Sequence, residues 1–119
     1  MKLEGEGKLL RIFVGEADRF EHRPLHEQLV LKAREMGLAG ATVLRGIEGF
    51  GARSRMHTAK ILRLSEDLPI VIEIVDTEEK VDAFCRVAGE LIAKAGIGAM
   101  ITEERAHIIR YTSGQTEQM

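Results

Sequence analysis

The chain has no tryptophan, one cysteine and two prolines in 119 residues, and aromatic side chains make up only 4% of it. So few rings leave little from which to build a base-stacking platform for single-stranded nucleic acid. A lone cysteine cannot close an internal disulfide, which fits a reducing compartment. No uninterrupted apolar run approaches the ~20 residues of a membrane-spanning helix. The opening Met1-Lys2-Leu3-Glu4-Gly5-Glu6-Gly7-Lys8 lacks the apolar centre of a secretory signal. Nor is there an excess of positive charge: 17 basic residues face 19 acidic ones, a formal net charge of -2, whereas a nucleic-acid coat gains affinity from a positive balance. Asparagine is absent and glutamine occurs only at Gln28, Gln115 and Gln118, a depletion of thermolabile amides in keeping with a thermophilic source. The expectation is a cytoplasmic protein with no nucleic-acid partner and no membrane insertion.

What is present is ordinary globular composition, 45% hydrophobic and 30% charged. The length suits one domain over residues 1–119, with a core over about 8–111 and a polar tail at 113–119. Residues 8–14 alternate, with Leu10, Ile12 and Val14 on one face and Leu9, Arg11 and Phe13 on the other, and predict a first strand. Residues 15–23 are polar and turn-like. Pro24 suits a helix start, and Leu25, Leu29, Ala33 and Met36 recur at helical spacing, so a helix is predicted over 24–36 with Gly37 closing it.

A second strand is read over 41–47, then an irregular stretch over 48–60, a short extended piece at 61–64 and a turn at 65–67. The third strand, 69–75, alternates Ile70, Ile72 and Ile74 with Val71, Glu73 and Val75. Asp76 and Glu79 have capping-box spacing. Val81, Phe84, Cys85, Ala88, Leu91, Ile92 and Ala95 mark the buried stripe of a second helix. A fourth strand is predicted over 99–102 and a further short one over 106–111. The order β-α-β-β-α-β gives an α+β fold, the ferredoxin-like split βαβ arrangement. Both helices lie on one sheet face. The other face is also apolar, which calls for self-association.

Gly37-Leu38-Ala39-Gly40-Ala41-Thr42-Val43, the Gly49-Phe50-Gly51 turn and Val71-Ile72-Glu73-Ile74-Val75 together resemble the PII signal-transduction proteins. Leu44-Arg45-Gly46-Ile47-Glu48-Gly49-Phe50-Gly51 followed by His57-Thr58-Ala59-Lys60 resembles more closely a PII-like branch, domain-of-unknown-function family one-ninety. The resemblance covers residues 8 to 111. It implies a non-catalytic homotrimer that binds a nucleotide in clefts between subunits and signals through the long loop. Thr42, Gly49, Phe50, Gly51 and Arg53 match positions near the family's nucleotide cleft, Gly96 and Gly98 match its second phosphate loop, and Arg110 matches a basic residue on its last strand. Two departures stand out. Gly98 is followed by Ala99-Met100, without the family's acid and lysine, and residues 48–60 contain no tyrosine.

Read as chemistry, residues 49–63 carry Arg53, Arg55, Lys60 and Arg63 with no acid. Glycines that let backbone N–H groups approach, with guanidinium forks, suit phosphate or carboxylate, and a loop of this length inside a compact domain commonly has a role. Arg45 and His57 join the candidate ligand contacts. Glu73 is read as structural, paired with Arg45 or Arg11, because no second acid or base stands at a spacing suited to proton transfer. His22 and His26, four residues apart, offer the alternative of a divalent-metal-binding protein of the same fold, resembling the cation-tolerance proteins. His107 is isolated, and Cys85 reads as a small core residue. No Walker lysine motif, Ser-His-Asp set or Cys-x-x-Cys pair is present. The expectation is a binding and regulatory protein, not an enzyme. It would need no cofactor. Its ligand would be a nucleotide or another anionic small molecule, and a partner protein would dock on the 48–60 loop.

Overall fold

A computed structural model describes residues 3–50 and 67–114. Strict alternation builds its centre. In β1 (Gly5–Gly15) the side chains of Leu10, Ile12 and Val14 are buried, and in β5 (Pro69–Asp76) those of Ile70, Ile72 and Ile74 are. The two strands pair antiparallel, Ile12 opposite Ile72. β6 (Met100–Ile108) runs antiparallel along the other side of β1, and β4 (Thr42–Arg45) along the other side of β5. The sheet order is thus β4-β5-β1-β6, the ferredoxin-like order expected when two βαβ units interleave.

Two helices bury one stripe each against this sheet. α1 (Leu25–Glu35) contributes Leu25, Leu29 and Ala33, and α2 (Glu78–Ala95) contributes Val81, Phe84 and Ala88. These six join the six strand residues in one core. Burying a large aliphatic or aromatic side chain stabilises the fold by about 1.5–3 kcal/mol. No helix among the described residues is long and apolar enough to cross a membrane.

Several boundaries differ from the sequence reading. β1 begins three residues earlier, because Gly5, Glu6 and Gly7 find partners in Ile108, His107 and Ala106. The polar 15–23 stretch holds a small ribbon of β2 (Arg19–Phe20) and β3 (Arg23–Pro24), turning through Glu21 and His22 at φ 53° and 71°. Pro24 caps α1 from outside. The cap of α2 is Thr77, whose hydroxyl accepts the Lys80 N–H at 3.3 Å, not Asp76. The Asp76 carboxylate is fully buried and accepts the N–H groups of Thr77 (2.6 Å) and Ala39 (2.7 Å) instead. The two short final strands are one. Glu103, Glu104 and Arg105 look like a break, but β6 is an edge strand paired throughout with β1, and charged side chains are at home on an edge.

Candidate functional site

One end of the sheet gathers the finish of β1 and β4 with the start of β5 and β6. The chain leaves β4 at Arg45, and Gly46 donates its N–H to the Pro69 carbonyl at 2.7 Å. A Cβ on Gly46 would lie 2.7 Å from Pro69 Cγ, so only glycine fits without a shift. Gly49 has φ 153° and also faces the Pro69 ring. Beyond these contacts Ile47 and Phe50 are displayed to solvent, 94% and 64% exposed.

The turn after β1 grips both limbs of this crossing. Glu16 donates its N–H to the Leu68 carbonyl at 2.8 Å, and Ala17 donates to Asp67 Oδ1 at 3.0 Å. The Glu16 carboxylate reaches the opposite limb, 3.2 Å from Arg45 Nε. Asp18 closes the turn by accepting the Gly15 N–H at 2.7 Å. Nothing in the linear spacing links position 16 with 45 or 68; the pairing of β1 with β5 and of β5 with β4 brings them together.

The other candidates are spread. Thr42 lies opposite Glu73 on the sheet face turned away from the helices. Glu73 itself pairs with Arg11 at 2.9 Å, one of its two expected partners, and this carboxylate holds the guanidinium still more firmly protonated. Gly96 ends α2 in the left-handed conformation at φ 68°, and Gly98 precedes β6 at the opposite sheet edge from Arg45. Three strand spacings separate those edges, about 14 Å. Arg110 follows the far end of β6, beyond the Gly5–Ile108 pair. Gly51, Arg53, Arg55, His57 and Lys60 lie outside the described residues, as does the extended piece expected at 61–64.

His22 occupies the ribbon turn and His26 the first turn of α1, where its Nδ1 is buried with no hydrogen-bond partner. Among the described residues no group of three His, Cys, Asp or Glu side chains is placed to hold a metal ion. His107 lies 3.2 Å from Glu6 on the neighbouring strand. Cys85 is half-buried; desolvation first, then the nearby Glu103 and Asp82 carboxylates, push its thiol pKa up. No signal in the linear pattern points to the group around Lys8, whose ammonium meets Asp82 at 2.8 Å, Glu103 at 3.1 Å and Glu78 at 3.7 Å. The hydrogen bonds to Asp82 and Glu103 raise its pKa.

Comparison with known proteins agrees with this architecture. A UPF0166 protein of Aquifex aeolicus is 46% identical over 77 residues, 65% of this chain and 73% of that one. A UPF0166 protein of Methanocaldococcus jannaschii is 35% identical over 92 residues, 77% and 84% of the two chains. Among solved structures, a PII-like signaling protein of Thermus thermophilus superposes with TM-score 0.60 at 18% identity, covering 92% of this chain and 94% of that one. CPII of Thiomonas intermedia, bound to ADP, AMP and acetate, superposes with TM-score 0.61 at 17% identity over the same shares. The model of DUF190, described as Uncharacterized ACR, matches residues 7–108. The chain therefore belongs to the DUF190 family and carries the PII-like form of the ferredoxin fold.

Proposed function

We propose that this protein is a PII-like ligand-binding regulator rather than an enzyme. In this reading three copies close over their uncovered sheet faces and bind an anionic small molecule, a nucleotide by preference, in the clefts between them. The 48–60 loop then reports occupancy to a partner protein, as an order change on ligand contact would allow. The whole assembly would work in the cytoplasm.

The observation that carries the reading is the separation of the two candidate half-sites. One copy holds Arg45 on one edge strand, with Gly49 against Pro69 of the strand beside it, and Gly96 and Gly98 just before the other edge strand. A single phosphate group cannot reach both sets within one copy, and a second copy packed against the first would bring one set to the other. The face that would close is apolar, with Phe13, Leu44, Val75 and Met100 all 36% exposed or more, and such a surface seeks cover. CPII, of like fold, binds ADP and AMP, which makes adenine nucleotides the first ligands to try.

Light scattering coupled to gel filtration should give three times the chain mass. Calorimetry with ADP and AMP should give heat that disappears in Arg53→Ala. A monomer at every concentration, or no heat from any nucleotide, overturns the reading.

A further inference from the structure

Arg45 is not a free cation waiting for a ligand. Its Nε is held by the Glu16 carboxylate at 3.2 Å, and the two partners are unequal. The Glu16 side chain is 30% exposed and that of Arg45 is 59% exposed. Glu16 sits in a turn fixed by its own N–H to Leu68, by Ala17 to Asp67 and by Gly15 to Asp18. Both backbones are fixed, Arg45 in the ladder with Ile70, so the difference lies in the side chains: the shorter, less exposed carboxylate has less room to move and the longer, more exposed guanidinium is the one able to turn. A guanidinium offers five donors, and an exposed pair of this kind is weakly held and screened by salt.

We infer that Glu16 is a built-in competitor for the anion at Arg45 and sets the affinity of that site. This inference rests on the ligand reading above. An arriving phosphate or pyrophosphate group takes the guanidinium from Glu16, because a bidentate phosphate contact is the stronger one. Glu16 stays anchored by its backbone when the guanidinium leaves. The exchange makes binding reversible at modest ligand concentrations, and it demands a doubly charged group that outcompetes a carboxylate. Simple carboxylates are thereby discriminated against.

The test is a double-mutant cycle on the full chain, read by calorimetry with ADP and with inorganic pyrophosphate. Glu16→Gln keeps the shape of the side chain and removes its charge. It should tighten binding of both probes by about two- to fivefold, the worth of an exposed ion pair. Arg45→Ala should weaken binding, and Glu16→Gln should bring no gain in the Arg45→Ala background. Glu16→Ala removes the carboxylate by a second route and should show the same gain, which damage to the turn would not produce. If the wild type binds and neither Glu16 variant binds more tightly, or if the gain persists without Arg45, the exchange is overturned while the ligand reading stands. If no variant binds either probe, the ligand reading goes first and the exchange with it.

Discussion

Arg11 and Glu73 stand directly opposite each other on β1 and β5, joined at 2.9 Å in the middle of the sheet face turned away from both helices. Glu104 of β6 approaches the same guanidinium at 3.6 Å. Beside this polar row lies an apolar one, where Leu44, Val71, Phe13 and Met100 are neighbours across all four strands. The face thus combines area to bury with a charge cluster, Arg11 between Glu73 and Glu104. Each pair contributes little to a lone chain, about 0–1 kcal/mol. Left unmatched inside an interface it is costly. Glu73→Lys should therefore leave the fold within about 1 kcal/mol of the wild type in urea, yet shift the proposed assembly toward monomer in sedimentation. Exchanging the charges, Arg11→Glu with Glu73→Lys, should recover part of the assembly, and adding Glu104→Gln, which removes the carboxylate left facing another, should recover more. Full assembly by Glu73→Lys alone would remove this face from the interface.

Asp76 should be among the most sensitive polar positions. It is fully buried at the end of β5, and its carboxylate accepts the N–H groups of Ala39 and Thr77. The Ala39 carbonyl in turn accepts the Tyr111 hydroxyl at 3.2 Å, and the Gly37 carbonyl accepts the Lys80 ammonium at 2.9 Å. Asp76→Ala strands two donors and should cost about 3 kcal/mol in urea denaturation. Tyr111→Phe removes one exposed bond and should cost no more than about 1 kcal/mol.

Gly7 marks a close approach between strands. A Cβ there would lie 2.5 Å from the Asp76 carbonyl oxygen and 2.8 Å from Ile108 Cδ1. The backbone oxygen cannot step aside as a side-chain end can. Gly7→Ala should lower stability by about 1–3 kcal/mol, measured as a drop in Tm, whereas Gly89→Ala, with nothing within 4 Å of the new atom, should not lower it.

Much of this fold is legible in the sequence because its strands alternate cleanly. Leu10, Ile12, Val14, Ile70, Ile72 and Ile74 announce both the strands and the face they bury. Arg11 as a partner of Glu73 is legible too, since both fall on the opposite face. β6 is harder. Glu103, Glu104 and Arg105 break its apolar pattern; its edge position admits them, and Lys8 and Arg11 on β1 hold the two glutamates. The cap of α2 is easily misplaced because Asp76 and Thr77 are both good caps by type, and tertiary demand from Ala39 decides between them. Nothing in the sequence marks Glu16 as a member of the candidate site, because its partners Arg45 and Leu68 are brought to it by sheet pairing and not by sequence spacing.

Cys85 offers a chemical check on the packing of α2 against β1 and β6. Its thiol is half-buried on the core side of α2, and desolvation together with Glu103 and Asp82 raises its pKa, with Lys8 opposing them. The thiolate is the nucleophile, so a raised pKa means less of it at neutral pH. Alkylation by iodoacetamide at mildly alkaline pH should therefore be slower in the native protein than in urea. Because the shift is upward, the native rate should go on climbing with pH where an unfolded thiol has already reached its plateau. Lys8→Met removes a nearby cation that favours the thiolate and should slow native alkylation further, while Glu103→Gln should speed it. A native rate equal to that in urea would mean that Cys85 faces water, and the described packing of α2 would be wrong at that point.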